Sequence, residues 1–207
     1  MRKLVLLFFI VCFCWSFSQE SERKNPRVGL VLSGGGAKGF AHIGVLKTLD
    51  SLGVRVDYVA GTSMGAVMGG LYASGYTGQQ LDSIVSATNF DLLISDDVPR
   101  ESKTFYERKN AEKYALTLPF SDFKIQLPSS ISRGQNVFNA LSKLTLNVSG
   151  IEDFSKLPIP FYCIATDMKT GTEVVLDRGN LAQAIAASSA LPTLYQPVSL
   201  NNILLMD

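Results

Sequence analysis

Histidine is almost absent from this sequence, because His42 is the only one among 207 residues. A Ser–His–Asp triad in the α/β-hydrolase order places its histidine last along the chain, whereas His42 lies near the start. We therefore expect His42 to have a structural or supporting role. A serine hydrolase built from this chain must use a different base, and a carboxylate is the obvious candidate.

Charge of either sign is scarce and balanced, since 19 Lys and Arg stand against 18 Asp and Glu. The formal net charge of +1 argues against nucleic acid or an anionic surface as the main partner. Cysteine is also rare: Cys12 and Cys14 lie in an apolar N-terminal run, and Cys163 is the third. If that run is removed, no internal disulfide can form, and stability must come from the apolar core.

The N-terminal apolar run is shorter than the roughly 20 residues that a membrane-spanning helix needs. It covers Leu4 to Phe17, follows the basic pair Arg2 and Lys3, and is followed by small residues. This pattern predicts a signal peptide over residues 1–18, with an uncleaved anchor as the alternative. We therefore expect export to the periplasm, the outer membrane or the cell surface, and a domain over residues 27–207.

Apolar runs of strand length alternate with helical patterns along the rest of the chain. Strands are predicted over 27–33, 54–60, 113–118, 123–127, 161–166, 173–176 and 203–206, and helices over 40–52, 64–74, 77–87, 135–146 and 180–191. Thr77 and Asn180 are the expected N-caps of the third and fifth helices. This alternation predicts an α/β fold, with a mostly parallel central sheet flanked by helices on both faces.

Gly61-Thr62-Ser63-Met64-Gly65 is a G-x-S-x-G motif between a predicted strand and a predicted helix. A sharp strand-to-helix turn needs small neighbours, which Gly61 and Gly65 provide, and it exposes the serine oxygen at the top of the sheet. The amides at the start of the next helix point at the same place. The motif predicts Ser63 as a nucleophile; a turn in which Ser63 merely caps the helix is the alternative.

A second glycine-rich loop, Gly34-Gly35-Gly36-Ala37-Lys38-Gly39, also lies between a strand and a helix. Such a loop presents several N–H groups to one anion, either a phosphate or a tetrahedral oxyanion. It satisfies G-x-G-x-x-G, and Asp57 lies about where a dinucleotide-binding fold has its ribose acid, so a dinucleotide-binding oxidoreductase stays open. It is not a P-loop, because no Ser or Thr follows Lys38. Glycines required only for close packing are the remaining possibility.

The order of these motifs resembles that of the patatin-like phospholipases, including secreted bacterial members. The glycine loop is followed by the Ser63 motif, then by Ser189-Ala190-Leu191-Pro192, and finally by Asp207 at the end of a short strand. The resemblance runs from Arg27 to Asp207. In that family a Ser–Asp dyad replaces the triad, and the glycine-rich loop supplies the oxyanion hole.

The resemblance implies a serine lipid acyl hydrolase with a three-layer fold, acting on phospholipids or acylglycerols drawn from a membrane surface. Ser63 matches the nucleophile and Asp207 the base. Gly34, Gly35 and Gly36 match the oxyanion loop, which continues through Lys38, where the family carries a basic residue, and Gly39. No metal or organic cofactor is implied. A catalytically silent lipid-binding envelope domain is the other alternative.

The sequence departs from the family at its last residue. The two small residues that follow the family's aspartate are absent, so Asp207 is assigned by its place after an apolar strand. We expect the C-terminal part of the domain to be missing and the chain as it stands to be poorly active, because a terminal base is held from one side only.

Other residues carry weaker signals. Met64, Met68 and Leu71 have the spacing of a buried helix face. Some apolar residues in the range 90–127 could line an acyl-chain groove, although ordinary core is the favoured interpretation. Asp96-Asp97 is predicted to lie in a solvated loop, because no histidine or further acid stands at metal-ligand spacing.

Overall fold

The computed structural model describes residues 26–96, 100–106, 108, 120–121, 124–125 and 130–207. The predicted signal peptide, the predicted strand over 113–118 and Asp97 lie outside these residues, so nothing in the structure bears on them. Among the described residues, no helix combines the length and apolar character needed to cross a bilayer.

Strands and helices are numbered in chain order. The strands are β1 (Gly29–Leu32), β2 (Tyr58–Thr62), β3 (Phe120–Ser121), β4 (Lys124–Ile125), β5 (Phe161–Asp167), β6 (Glu173–Leu176), β7 (Val198–Leu200) and β8 (Ile203–Met206). The α-helices are α1 (Ala41–Ser51), α2 (Met64–Ala73), α3 (Gly78–Ala87), α4 (Phe90–Ser95), α5 (Gln135–Leu144) and α6 (Leu181–Ser188). Short 3-10 turns cover Gly36–Phe40, Arg100–Ser102, Leu146–Val148 and Phe154–Lys156.

A central sheet has the strand order β1-β2-β5-β8-β7, with β6 also paired to β5. β1 and β2 pair in parallel, as do β2 and β5. The pairs β5–β6, β5–β8 and β7–β8 are antiparallel, and β3 and β4 form a small antiparallel sheet of their own. The predicted α/β fold with a central sheet and helices is therefore confirmed, and its parallel part is the first three strands.

Two strands meet end to end along one edge of β5. Cys163 and Ile164 pair with both β2 and β6, so β2 and β6 lie on opposite edges of β5. Thr166 pairs with both β6 and β8, so β8 lies on the same edge as β2. Because β2 runs parallel to β5 and β8 runs antiparallel to it, their carboxyl ends face each other. The residues that follow these two strands are thereby brought together.

The main core lies on one face of this sheet, where α2 and α6 pack. Gly69 of α2 lies so close to the strands that a Cβ there would be 2.9 Å from the Val59 side chain. Small residues thus let the helix backbone approach the sheet. The most deeply buried large side chains are Leu46, Val59, Leu81, Phe154, Cys163, Ile185 and Leu205. Cys163 is a free thiol.

The opposite face of the sheet is exposed in the part of the chain that the structure describes. Val31, Tyr162 and Val175 share that face by register, and their exposed fractions are 78%, 41% and 53%. The second helical layer of the prediction is not seen among the described residues. The crossovers from β1 to β2 and from β2 to β5 step the same way across the sheet, and right-handed crossovers of that kind place their helices on one face.

Helix starts agree with the predicted caps. The hydroxyl of Thr77 accepts a hydrogen bond from the Gln80 amide (3.2 Å), and the Gln80 side chain accepts one from the Thr77 amide (2.9 Å). The Asn180 side chain accepts from the Gln183 amide (2.9 Å). These bonds satisfy amides that have no partner inside the helix. The predicted helix ends at 146 and 191 are wrong, because α5 ends at 144 and α6 at 188.

Asp96 has a structural role that the solvated-loop prediction missed. Its carboxylate accepts hydrogen bonds from the amides of Asn136 (2.7 Å) and Gln135 (3.2 Å) and from the hydroxyl of Ser132 (2.8 Å). Partial burial alone would raise the pKa of Asp96, but these hydrogen bonds outweigh it and hold the pKa below its ordinary value. Asp96 therefore joins the end of α4 to the start of α5.

Candidate active site

Ser63 lies at a strained turn between β2 and α2. Its φ of 53° and ψ of −127° are unusual for a residue with a side chain. The carbonyl of Ser63 accepts hydrogen bonds from the amides of Ala66 (2.9 Å) and Val67 (3.1 Å), which start the helix. Its hydroxyl makes no capping bond to α2, so the interpretation of Ser63 as a mere helix cap is wrong.

Gly61 and Gly65 allow the backbones around this turn to touch. A Cβ on Gly65 would overlap the carbonyl of Leu32 in β1, and a Cβ on Gly61 would overlap the carbonyl of Gly65. No side chain fits at either position without moving main-chain atoms. The two glycines of the motif thus hold the sharp turn against the sheet.

The structure brings Ser63 and Asp207 together where the ends of β2 and β8 meet. Ser63 Oγ donates a hydrogen bond of 2.5 Å to Asp207 Oδ2. The Asp207 amide donates to the carbonyl of Ala190 (3.0 Å), which anchors the residue beside the loop after α6. Ser63 is only 5% exposed, and Asp207 is half-buried. A hydroxyl and a carboxylate are therefore paired at the end of the two strands.

Ser188, which the sequence motifs do not single out, holds the backbone of Ser63 by hydrogen bonds. The Ser63 amide donates to both the carbonyl (3.1 Å) and the hydroxyl (3.2 Å) of Ser188. The Ser188 hydroxyl in turn donates to the carbonyl of Ile164 in β5 (2.5 Å), and Ser188 is fully buried. Its position directly before Ser189-Ala190-Leu191-Pro192 is the one local signal that pointed to it.

The first residues of the glycine loop lie against Ser63. A Cβ on Gly34 would be 2.9 Å from the Ser63 Cβ, so only glycine leaves the loop this close. Gly35 and Gly36 have φ values of 147° and 55°, which glycine adopts readily. The amides of Gly35 and Gly36 donate to no other group in the described part of the chain. Both can therefore donate to a bound anion.

The end of the loop has a different role. The Lys38 amide donates to the Gly35 carbonyl (3.1 Å) and closes the turn, while the Lys38 side chain is exposed. Gly39 is buried against Met64, where a Cβ would overlap the methionine side chain. These contacts make the last two residues part of the loop's packing.

His42 contacts the base of the same loop. Its Nε2 lies 2.9 Å from the carbonyl of Ser33, directly before the first loop glycine. The hydroxyl of Ser63 is bonded to Asp207 and not to His42. The position agrees with a supporting role for the single histidine.

Asp57 lies at the wrong end of its strand for a dinucleotide site. It precedes β2, whereas ligands of open α/β sheets bind beyond the carboxyl ends of the strands, where the glycine loop lies. The carboxylate of Asp57 accepts from the Val28 amide (2.9 Å) and pairs with Arg55 (3.0 Å). The interpretation of Asp57 as a ribose-binding acid is therefore wrong.

Ser63 opens onto an apolar cavity of about 480 Å³. Most of its lining consists of aliphatic side chains from four helices: Met64, Val67, Met68 and Leu71 of α2, Ile84 and Val85 of α3, Leu93 and Ile94 of α4, and Val137, Ala140, Leu141 and Leu144 of α5. Among the described residues of the range 90–127, Phe90, Leu93 and Ile94 line this cavity. Within the residues described, no group of three or more His, Cys, Asp or Glu could hold a metal ion.

The chain is similar in sequence to proteins of bacteria and fungi. An uncharacterized NTE family protein of Mycobacterium tuberculosis is 32% identical over 183 residues, which are 88% of this chain and 42% of that protein. The lysophospholipase nte1 of Emericella nidulans is 33% identical over 180 residues, which are 87% of this chain and 10% of that protein. The chain thus spans less than half the length of these relatives.

Solved structures show the same fold. ExoU from the type III secretion system of Pseudomonas aeruginosa, in complex with SpcU, matches with a TM-score of 0.54 and 20% identity, over 81% of this chain and 39% of that chain. VipD of Legionella pneumophila matches with a TM-score of 0.53 and 16% identity, over 87% of this chain and 45% of that chain. At such identities the likeness concerns the fold alone.

A family model described as patatin-like phospholipase matches residues 30–207. That span includes the glycine loop, the strained turn at Ser63, the buried Ser188 and the strand that ends at Asp207. By this match, and by relatives that are about one-third identical over most of its length, the chain belongs to the patatin-like phospholipase family.

Proposed function

We propose that this chain is a serine lipid acyl hydrolase that cleaves ester bonds of phospholipids or acylglycerols, with Ser63 as nucleophile and Asp207 as base. The observation that carries the proposal is the 2.5 Å hydrogen bond from Ser63 Oγ to Asp207 Oδ2, at the opening of an apolar cavity. A nucleophile in hydrogen-bond contact with its base is the arrangement that covalent catalysis requires.

The first half of the reaction forms an acyl-enzyme. Asp207 accepts the hydroxyl proton as Ser63 Oγ attacks the ester carbonyl carbon. The carbonyl oxygen becomes an oxyanion, and the free amides of Gly35 and Gly36 donate to it. When the intermediate collapses, the bond to the leaving alcohol breaks and the alcohol takes the proton from Asp207.

The second half releases the fatty acid. Asp207 accepts a proton from water, the water oxygen attacks the acyl-enzyme carbonyl, and the Ser63 oxygen leaves and is reprotonated by Asp207. The amino end of α2 adds a partial positive charge near both oxyanions, because Ser63 is the residue before its first turn. These steps need no metal or organic cofactor.

The substrate class is proposed from the cavity and from family membership. An aliphatic lining beside the nucleophile favours a long apolar acyl group over a polar one. One relative bears the name lysophospholipase, which agrees with an ester of this kind. Such substrates are drawn from membranes, so a membrane surface is the proposed source.

Reaction with a fluorophosphonate probe, together with hydrolysis of 4-nitrophenyl butanoate, tests the proposal on the full chain. We expect wild type to be labelled and to hydrolyse the ester at a measurable rate, and Ser63→Ala to do neither. Asp207→Asn should lose about 10²- to 10⁴-fold in kcat, the usual contribution of a general base. Ser51→Ala is the matched control, because Ser51 is an exposed serine at the end of α1.

Three results would count against the proposal. Equal labelling of wild type and Ser63→Ala would remove Ser63 as the nucleophile. A wild-type chain that is neither labelled nor active, yet binds lipid, would favour the catalytically silent lipid-binding domain. Full activity in Asp207→Asn would leave the serine in place but overturn the choice of base.

A further inference from the structure

We infer that α5 limits the length of the acyl chain that this site accepts. The bound acyl chain lies between α2 and α5, and its methyl end reaches Leu71 and Leu144. The inference rests on the proposed function and adds the direction of the bound chain and the residues that stop it.

The α2 side of the cavity extends directly away from the nucleophile. Met64, Val67, Met68 and Leu71 line the cavity at helical spacing and form one stripe. Met64 follows Ser63, and a rise of about 1.5 Å per residue puts Leu71 about 10 Å further along the axis. Leu71 is therefore at the far end of this wall.

The α5 side carries a stripe of the same spacing. Val137, Ala140, Leu141 and Leu144 line the cavity from this helix. Two stripes of equal length on neighbouring helices can form the two walls of one passage. The relative direction of the helices decides which end of the α5 stripe lies near the nucleophile. Contacts at the two ends of α2 and α5 show whether the two helices run in the same direction.

Hydrogen bonds join the carboxyl ends of the two helices. The hydroxyl of Tyr76, just beyond α2, donates to the carbonyl of Leu144 (2.7 Å). The side chain of Asn147, just beyond α5, donates to the carbonyl of Ser74 (2.9 Å). Leu144 therefore lies at the same end of the cavity as Leu71, far from the nucleophile.

The amino end of α5 lies on the nucleophile side. Gly134, which precedes α5, packs against the ring of Tyr195, where a Cβ would be 3.5 Å from the ring. Tyr195 lines the cavity together with Ser63 and Ser189. The two helices thus run in the same direction, and Val137 marks the open end of the passage.

Ala140 is the narrowest side chain on the α5 stripe. It lies one turn beyond Val137 and one turn before Leu144, and it is half-buried. A large side chain at this position would fill the passage midway. Asn139, its neighbour in sequence, lies on the opposite side of the helix and is exposed.

The test compares kcat/KM for 4-nitrophenyl esters from butanoate to hexadecanoate with the full chain. In wild type we expect kcat/KM to rise about four-fold per added methylene, until the acyl chain reaches the closed end of the passage. Ala140→Phe should lower the ratio of kcat/KM for decanoate to kcat/KM for butanoate at least about ten-fold. The longer acyl group then buries at least two fewer methylenes. Leu144→Ala should move the optimum to longer esters, and Asn139→Phe should keep the wild-type profile.

A wild-type length profile in Ala140→Phe, with ester hydrolysis intact, would overturn the inference and leave the proposed function standing. If wild type hydrolyses no ester, displacement of a fluorescent fatty acid from Ser63→Ala and from Ser63→Ala/Ala140→Phe tests the passage without catalysis. Long fatty acids should then displace the probe better than short ones only when Ala140 is present. Should Ala140→Phe fail to fold by circular dichroism, Ala140→Leu takes its place with the same expected direction.

Discussion

Ser188 holds the backbone of the proposed nucleophile in its strained conformation. A positive φ at a serine costs free energy, and it persists only where neighbouring groups fix it. Here the Ser63 amide is bound by Ser188, and the Ser188 hydroxyl is bound to the carbonyl of Ile164. The turn is thus tied to β5, the strand along which the ends of β2 and β8 meet.

Ser188→Ala should lower the free energy of unfolding by about 1–3 kcal/mol, because two hydrogen bonds of the buried Ser188 hydroxyl are lost. The Ser63 amide loses one of its two acceptors, and the Ile164 carbonyl keeps only the longer bond from Thr62 (3.3 Å). The substitution should also lower kcat with little change in KM, since the apolar cavity is untouched. Urea unfolding and steady-state kinetics measure the two effects. Ser189→Ala is the stability control, because its half-buried hydroxyl bonds to the end of α6. Equal losses of stability in the two variants would contradict the argument.

At the scale of elements, the turn from β2 to α2 depends on direct contact between backbones. Gly65 lies against the carbonyl of Leu32, and any side chain there must push β1 away from α2. Gly44 in α1 is the opposite case, because a Cβ on it would meet open space. The two glycines make a matched pair of helix positions.

Gly65→Ala should unfold the protein or lower its midpoint of thermal unfolding, because the new methyl group overlaps main-chain atoms. Gly44→Ala should instead raise stability by about 0.5–1 kcal/mol, through better helix propensity without a clash. Thermal unfolding followed by circular dichroism compares the variants. A Gly65→Ala protein as stable as Gly44→Ala would show that the close approach is not required.

Elements with local signals could be predicted from the sequence, and those set by distant contacts could not. The caps at Thr77 and Asn180 and the turn around Ser63 are specified within a few residues. The hairpin of β7 and β8 was missed, although its Asn201-Asn202 pair is a sequence signal for a two-residue turn. Both residues have positive φ in the structure and form that turn.

The candidate site shows the same division. The nucleophile motif and the glycine loop could be found from short patterns. Residues such as Ala140 and Leu144 could not, because their place in the cavity follows from how α5 packs alongside α2. The fourth helix, α4, begins at Phe90 after the N-cap Asn89, whose side chain accepts from the Leu92 amide. This single cap was too weak a signal to predict the helix.

At the scale of the whole molecule, one carboxylate joins three helices. Asp50 near the end of α1 accepts from the hydroxyl of Tyr72 in α2 (2.7 Å) and from the amide of Gly78 at the start of α3 (2.7 Å). Burial, and then the hydrogen bond and the charge of Asp50, raise the pKa of Tyr72 from about 10 to about 12. The protonated tyrosine is the form that the fold stabilises.

The sign of this shift gives a pH dependence. The contribution of Tyr72 is fully present below pH 10 and is lost as the pH rises towards 12, because the unfolded chain then releases the proton more easily. Tyr72→Phe should cost roughly 1.5–3 kcal/mol at pH 8, with the difference from wild type shrinking between pH 10 and 12. Urea unfolding across this range measures it. A difference between Tyr72→Phe and wild type that stays constant from pH 8 to pH 12 would contradict the prediction.

We also propose that the protein is exported and cut near Ser18. The basis is the basic pair Arg2 and Lys3 before a short apolar run. Mass spectrometry of the N-terminus from the native host should find a chain that begins close to Gln19. Intact Met1 in a soluble cytoplasmic fraction would contradict export.

The end-to-end meeting of β2 and β8 also determines when, during synthesis and folding, Ser63 and Asp207 can come together. Ser63 and Asp207 are separated by 144 positions, and they come into contact only after β8 has paired with β5. A chain leaving the ribosome carries its serine long before its carboxylate, so the pair cannot form until residue 207 has been synthesised. Loop closure of this length is also a late and slow event in folding. Under the proposed function, a growing chain that ends before Asp207 has no base for Ser63.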